Sequence, residues 1–207
     1  MPTYDITPPV TEGMAVWPGD TPPSREVLSD MSRGANLTLS SLHTTVHVGA
    51  HADAPSHYGV DAPSIEGRPL DYYLGPCQVL RVAVKPSTRI PPEALAGPPR
   101  AERVLFATGT YPDPARFNED FAALSPELVH GLHGHGVKLV GIDTPSVDLP
   151  ASKDLPAHQA CLEHEMAILE GIVLDDVPDG LYELIALPLK LVGFDASPVR
   201  AILRSLP

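Results

Sequence analysis

The chain has 207 residues, 43% of them hydrophobic and 19% charged, with 14 Lys and Arg against 26 Asp and Glu for a formal net charge of −12. A chain of that length forms one domain, residues 1–207, with a core of its own. The acidic balance, with no basic stripe, argues against a nucleic-acid partner and against anionic membrane surfaces.

The N-terminal 35 residues are rich in turn formers, and Trp17-Pro18-Gly19-Asp20 reads as a tight corner. Residues 36–45 alternate apolar and polar side chains, a strand signature. Residues 47–57 follow as a strand end and loop, because Gly49 and Pro55 interrupt any helix. Residues 77–84 and 103–108 read as buried strands. Ser125-Pro126-Glu127 opens a helix that Gly134 or Gly136 ends, and 137–142 is the next strand. Residues 156–169 carry Ala160, Leu162, Met166 and Leu169 on or near one helical face and are the clearest helix of the chain. Short strands at 172–174 and 182–187 and a terminal helix at 197–203 complete an α/β chain with a mixed sheet and flanking helices. Cys77 and Cys161 are too few for a disulfide framework and read as two buried thiols, with a single bridge as the alternative. With no cationic, apolar leader at residues 1–11 and no apolar run of eighteen, the expected location is the cytoplasm.

The chemistry is concentrated in His47-Val-Gly-Ala-His51-Ala-Asp53-Ala-Pro-Ser-His57. Three imidazoles and a carboxylate, the ligand types of zinc and similar divalent ions, occupy eleven residues. The residues between them are small, so the backbone can fold closely around one point. Gly49 permits the kink that His47 and His51 need to converge. His51 and Asp53, two apart in an extended segment, face the same way. Asp53 has two oxygens and can bridge two ions. His57 is either a fourth ligand or a free imidazole that moves protons. The bland alternative, surface or core His bonded to backbone, usually wins for a lone His but not for four such groups in one loop.

By composition alone His158 reads as solvated in a first helical turn, and Glu170, before Gly171, as a helix end. A carboxylate there opposes the macrodipole, which hints at a local cation. His130, His133 and His135 read as a solvated helix terminus, with a metal site as the alternative; His43 faces either the main motif or the solvent side of its strand, and His164 reads as exposed helix surface. Trp17 is either an anchor under its loop or a flat wall for an aromatic substrate.

Residues 47–57 resemble the H-x-G-T-H-x-D-x-P-x-H signature of the metal-dependent cyclase family, whose best-known members are bacterial kynurenine formamidases. Trp17-Pro-Gly-Asp, Ile142-Asp-Thr-Pro-Ser, His158 through Glu170 and Leu184-Ile-Ala-Leu-Pro extend the resemblance over most of the chain. Ala50, where the pattern has Thr, is the one departure, at a position that is not a ligand. The resemblance implies a swivelling-type α/β fold, a homodimer and two divalent ions, zinc or alternatively manganese. His47, His51 and Asp53 would hold the first ion, and Asp53, His158 and Glu170 the second, with Asp53 and Glu170 bridging. His57 would be the acid/base and Trp17 a wall of the substrate pocket. The implied reaction is hydrolysis of N-formyl-L-kynurenine, a small aromatic formamide, to L-kynurenine and formate in tryptophan breakdown. The absence of a G-x-S-x-G elbow disfavours a serine route. Hydrolysis of another amide or an isatin-type lactam is the nearest alternative. A metal-binding protein without turnover is a more distant one.

Overall fold

A computed structural model describes residues 2–206. In chain order the strands of the first half are β1 (Thr3–Asp5), β2 (Ser24–Ser29), β3 (Leu39–His43), β4 (His51–Asp53), β5 (Leu74–Arg81), β6 (Arg89–Ile90), β7 (Arg103–Ala107) and β8 (Ala123–Leu124). Helix α1 (Pro126–Gly134), β9 (Leu139–Ile142), α2 (Pro156–Glu163), β10 (Ala167–Glu170), β11 (Gly180–Ile185), β12 (Ala196–Pro198) and β13 (Ile202–Ser205) follow.

Nine strands form one curled sheet in the order β1-β13-β11-β5-β7-β9-β10-β4-β12. Its centre is parallel, β5 to β7 to β9 to β10, and both flanks are antiparallel. Central strands buried on both faces need apolar residues on both, and β7 shows why RVLFA serves. Val104 and Phe106 pack with Leu128, Leu132 and Cys161 of the helical layer, while Leu105 and Ala107 point into the core that the sheet curls around. Cys77 and Cys161 are free and buried, and burial pushes both thiols up. Among the described residues no helix is long and apolar enough to cross a membrane. The β2–β3 hairpin stands apart from the large sheet.

Helix α1 begins as its sequence demands: Pro126 occupies the first turn and the Ser125 hydroxyl accepts from the Leu128 N–H at 3.1 Å. Three expectations are corrected. The helix at 156–169 stops at Glu163, where Glu165 turns to φ +54° and the Met166 N–H bonds back to the Cys161 carbonyl. Its apolar second half is β10 instead, buried between β9 and β4. The terminal helix at 197–203 is replaced by β12 and β13, and 172–174 is irregular. At 167–170 and 197–203 a short apolar run satisfies either period, and the strand partners decided it.

Candidate metal centre

The centre is built on β4. His51 and Asp53 lie two apart on that strand and share a face. On one side β10 sets Glu170 opposite His51, and on the other β12 sets Ala196 opposite Asp53. Gly49 takes φ +57° and turns the chain so that His47 returns over the same face. His158 comes from the first turn of α2. His51, Asp53, His158 and Glu170 are each at most 3% exposed. His158 is therefore not solvated, and Glu170 is a strand residue, not a helix end.

Each of three imidazoles has one ring nitrogen held from behind and the other facing the Asp53 carboxylate. His51 Nδ1 lies 2.9 Å from the Gly49 carbonyl, and its Nε2 lies 3.5 Å from Asp53 Oδ1 and 3.4 Å from Glu170 Oε2. His158 Nδ1 lies 2.8 Å from Asp148 Oδ2, and its Nε2 lies 3.5 Å from Asp53 Oδ2 and 3.6 Å from Glu170 Oε1. His47 Nε2 lies 3.0 Å from Asp195 Oδ2, and its Nδ1 lies 3.1 Å from Asp53 Oδ1. Yet His51 Nε2 and both Asp53 oxygens are buried with no hydrogen-bond partner. Orphaned buried polar atoms are costly in a folded protein. Imidazoles oriented from behind around an unpartnered carboxylate are the donor set of a divalent cation such as zinc. The residues fit such an ion.

Asp148 serves α2, the His158 ring and Arg89 at once. Leu155 precedes α2 at φ +44° without a capping side chain, so the buried Asp148 carboxylate accepts the N–H groups of Ala157 and His158 in its place. The same carboxylate orients the His158 ring and pairs with Arg89 at 2.7 Å.

The electrostatics follow from this crowding. Burial pushes the Asp53 carboxyl up, but His158, His47 and His51 override it and hold it well below the usual carboxylate range. Burial lowers His47 and His158 in turn, but Asp53 with Asp195, and Asp148 with Asp53, raise them to about 9 and about 10. An unfolded His titrates near ~6.5. In metal-free protein these two rings therefore add stability that is complete below about pH 6.5 and is lost as pH rises through about 9 and about 10. The melting temperature of chelator-treated protein is expected to fall between about pH 6.5 and 9. Metal affinity should climb over the same window as ions displace those protons. A melting temperature flat across it would contradict the assignment of charge.

His57 stands at the rim, its ring centroid 4.2 Å from that of His47 and its Nδ1 3.4 Å from Asp195 Oδ2. The cluster opens into a cavity of about 670 Å³ that Trp17, Tyr111 and Phe117 also line. Pro18 and Gly19, at φ +100°, make the turn that presents Trp17, closed by the Asp20 N–H on the Trp17 carbonyl. Trp17 meets Phe117 edge to face at 5.3 Å. His43 lies outside, on Glu26. Asp148, Asp195, Tyr111 and Phe117 escaped the sequence reading. None sits in a ligand-like spacing, and Asp195 reaches the centre only because β12 pairs with β4.

Fold and site together define a mixed α/β protein with a buried carboxylate–imidazole centre suited to divalent ions, open to an aromatic cavity. Residues 4–149 match the family model described as "Putative cyclase", and the chain belongs to this cyclase family. A structure described as a potential metal-dependent hydrolase with cyclase activity is 30% identical, with a TM-score of 0.85, over 100% of this chain and 99% of that one. A predicted metal-dependent hydrolase from Bacillus stearothermophilus is 32% identical, with a TM-score of 0.81, over 98% and 97%. Isatin hydrolase A from Labrenzia aggregata shares the fold at 23% identity, with a TM-score of 0.84, over 100% and 94%.

Proposed function

We propose that the chain is a metal-dependent hydrolase that cleaves an amide bond on an aromatic ring, with N-formyl-L-kynurenine as substrate and L-kynurenine and formate as products. The observation that carries this reading is the orphaned Asp53–imidazole cluster opening onto the cavity of Trp17, Tyr111 and Phe117. In this reading His47, His51 and Asp53 hold one divalent ion and Asp53, His158 and Glu170 a second, zinc by donor type with manganese as the alternative. Ions bound there supply an acidified water and polarise the substrate carbonyl. The chain's own residues do the rest. His57 takes the proton of the attacking water and returns it to the departing aniline nitrogen, while Asp195 orients its ring. Trp17 packs against the substrate's ring.

Replacing His57 by Ala is expected to leave metal content unchanged and lower turnover by about 10²- to 10⁴-fold, the range for a lost general acid–base. Metal loss in that variant would make His57 a ligand instead.

Lactam hydrolysis of the isatin type is the second reading, favoured by the lining of the cavity. Among the described residues no Lys or Arg lines the cavity, so no described cationic side chain there meets the free carboxylate of formylkynurenine, whereas isatin is neutral. Isatin hydrolases also share the fold along the whole chain. The test is to supply metal-loaded protein with N-formylkynurenine and, separately, isatin, following absorbance beside a chelator-stripped sample. Metal-dependent kynurenine release carries the first reading; isatin opening alone transfers the assignment to the second; no turnover of either by metal-loaded protein overturns both.

We also propose a homodimer. The β2–β3 hairpin supports it, exposing Val27, Leu28, Leu39 and Leu42 at 48%, 54%, 52% and 65%. Sedimentation velocity should return twice the chain mass, and a monomer at micromolar concentration refutes it.

A further inference from the structure

We propose a second, separate site for a divalent transition cation on the outer surface, where His130 of α1 meets Glu163 and His164 at the carboxyl end of α2. One ligand atom from each of these residues lies within 4.8 Å of the others. His130 Nδ1 and His164 Nε2 are already 2.8 Å apart. His133, one turn along α1 from His130, stacks flat on His164 at 4.0 Å and 7°, which fixes the plane of that ring. His135, which the sequence grouped with His130 and His133, takes no part in this cluster.

Two imidazoles and a carboxylate suit zinc, nickel or copper and not magnesium or calcium, whose ligands are oxygens. Ligand atoms around one zinc stand roughly 3–4 Å apart, a distance these surface side chains reach by small rotations. An ion would replace the single His130–His164 hydrogen bond with two nitrogen contacts. The negative end of the α2 dipole adds a further attraction for a cation. An ion there would clamp α1 to α2, the helix that also carries His158. This assignment does not depend on the inner centre or on the reaction proposed for it.

The test is zinc titration of the untagged full chain against a chromogenic chelator, comparing it with His130→Ala/His164→Ala. The variant is expected to bind one equivalent fewer, whatever number the inner centre takes. Zinc kept by Asp53→Ala and released when His130→Ala/His164→Ala is added would separate the outer site from the inner one. Glu163→Gln, which leaves both rings in place, should weaken the outer equivalent at least about tenfold, since even loss of an outer-shell partner costs about that much. Equal zinc content in the parent and the double variant, both folded by circular dichroism, overturns the proposal.

Discussion

Asp53→Ala is expected to yield protein that retains neither inner ion and turns substrate over at least about ten thousandfold more slowly, a loss of about 5.5 kcal/mol in transition-state stabilisation. The magnitude follows from where Asp53 sits. Its carboxylate is 1% exposed, its two oxygens face the nitrogens of His47, His51 and His158, and both proposed ions would share it. Without it, His47 and His158 keep Asp195 and Asp148 behind them, so they remain placed but converge on nothing. Asp53→Asn retains the shape and removes the charge, and it should lose metal nearly as completely. That separates ligand loss from a cavity. Metal content by elemental analysis and turnover of the metal-loaded protein are the two readouts. Full metal with full activity in either variant would sink the bridging assignment.

Gly171→Ala is expected to be the most destabilising single methyl group in the chain. A Cβ there would stand 2.2 Å from the Gly49 carbonyl oxygen and 2.9 Å from its carbon, and both are backbone. Gly171 also holds φ +64°, where a side chain costs about 1–2 kcal/mol by itself. The clash forces two backbone segments apart, and a total of about 3–5 kcal/mol is in line with severe single substitutions. In a chain of this size each kcal/mol moves the melting temperature by about 2–4 °C, so a drop of about 10 °C is expected. The Gly49 carbonyl orients His51 through Nδ1, so metal affinity should fall with it. Gly34→Ala is the control. Gly34 has φ +90° with nothing within 4 Å of the added carbon, so it reports the backbone cost alone. Equal melting of the two variants would show that Gly49 and Gly171 can separate freely.

The elements legible in the chain were those whose signals are local. Strand β7 reads as a continuous apolar run, and α1 announces itself through Ser125 and Pro126. Gly49 foretold a turn and takes φ +57°. Where a short apolar run fits both periods, as at 167–170 and 197–203, the local signal was silent, and pairing with β9, β4 and β11 made strands.

The same division runs through the site. Residues 47–57 contain within themselves a set of metal-type donors, and the alternation of a strand suffices to turn His51 and Asp53 to one face. His158 carries no such local mark and Glu170 only the hint of a misplaced carboxylate, so both are assigned as ligands through the family resemblance alone. Their place beside Asp53 is decided by α2 packing on the sheet and by β10 lying against β4, contacts across more than a hundred residues of chain. Asp148 and Asp195 lay beyond sequence reasoning altogether. One substitutes for a missing helix cap, and the other is delivered by the register of β12. Donor chemistry is a property of side chains and their near neighbours, so the sequence by itself determined which groups were available. Convergence depends on which strands pair and in what register, and only the tertiary structure decided it.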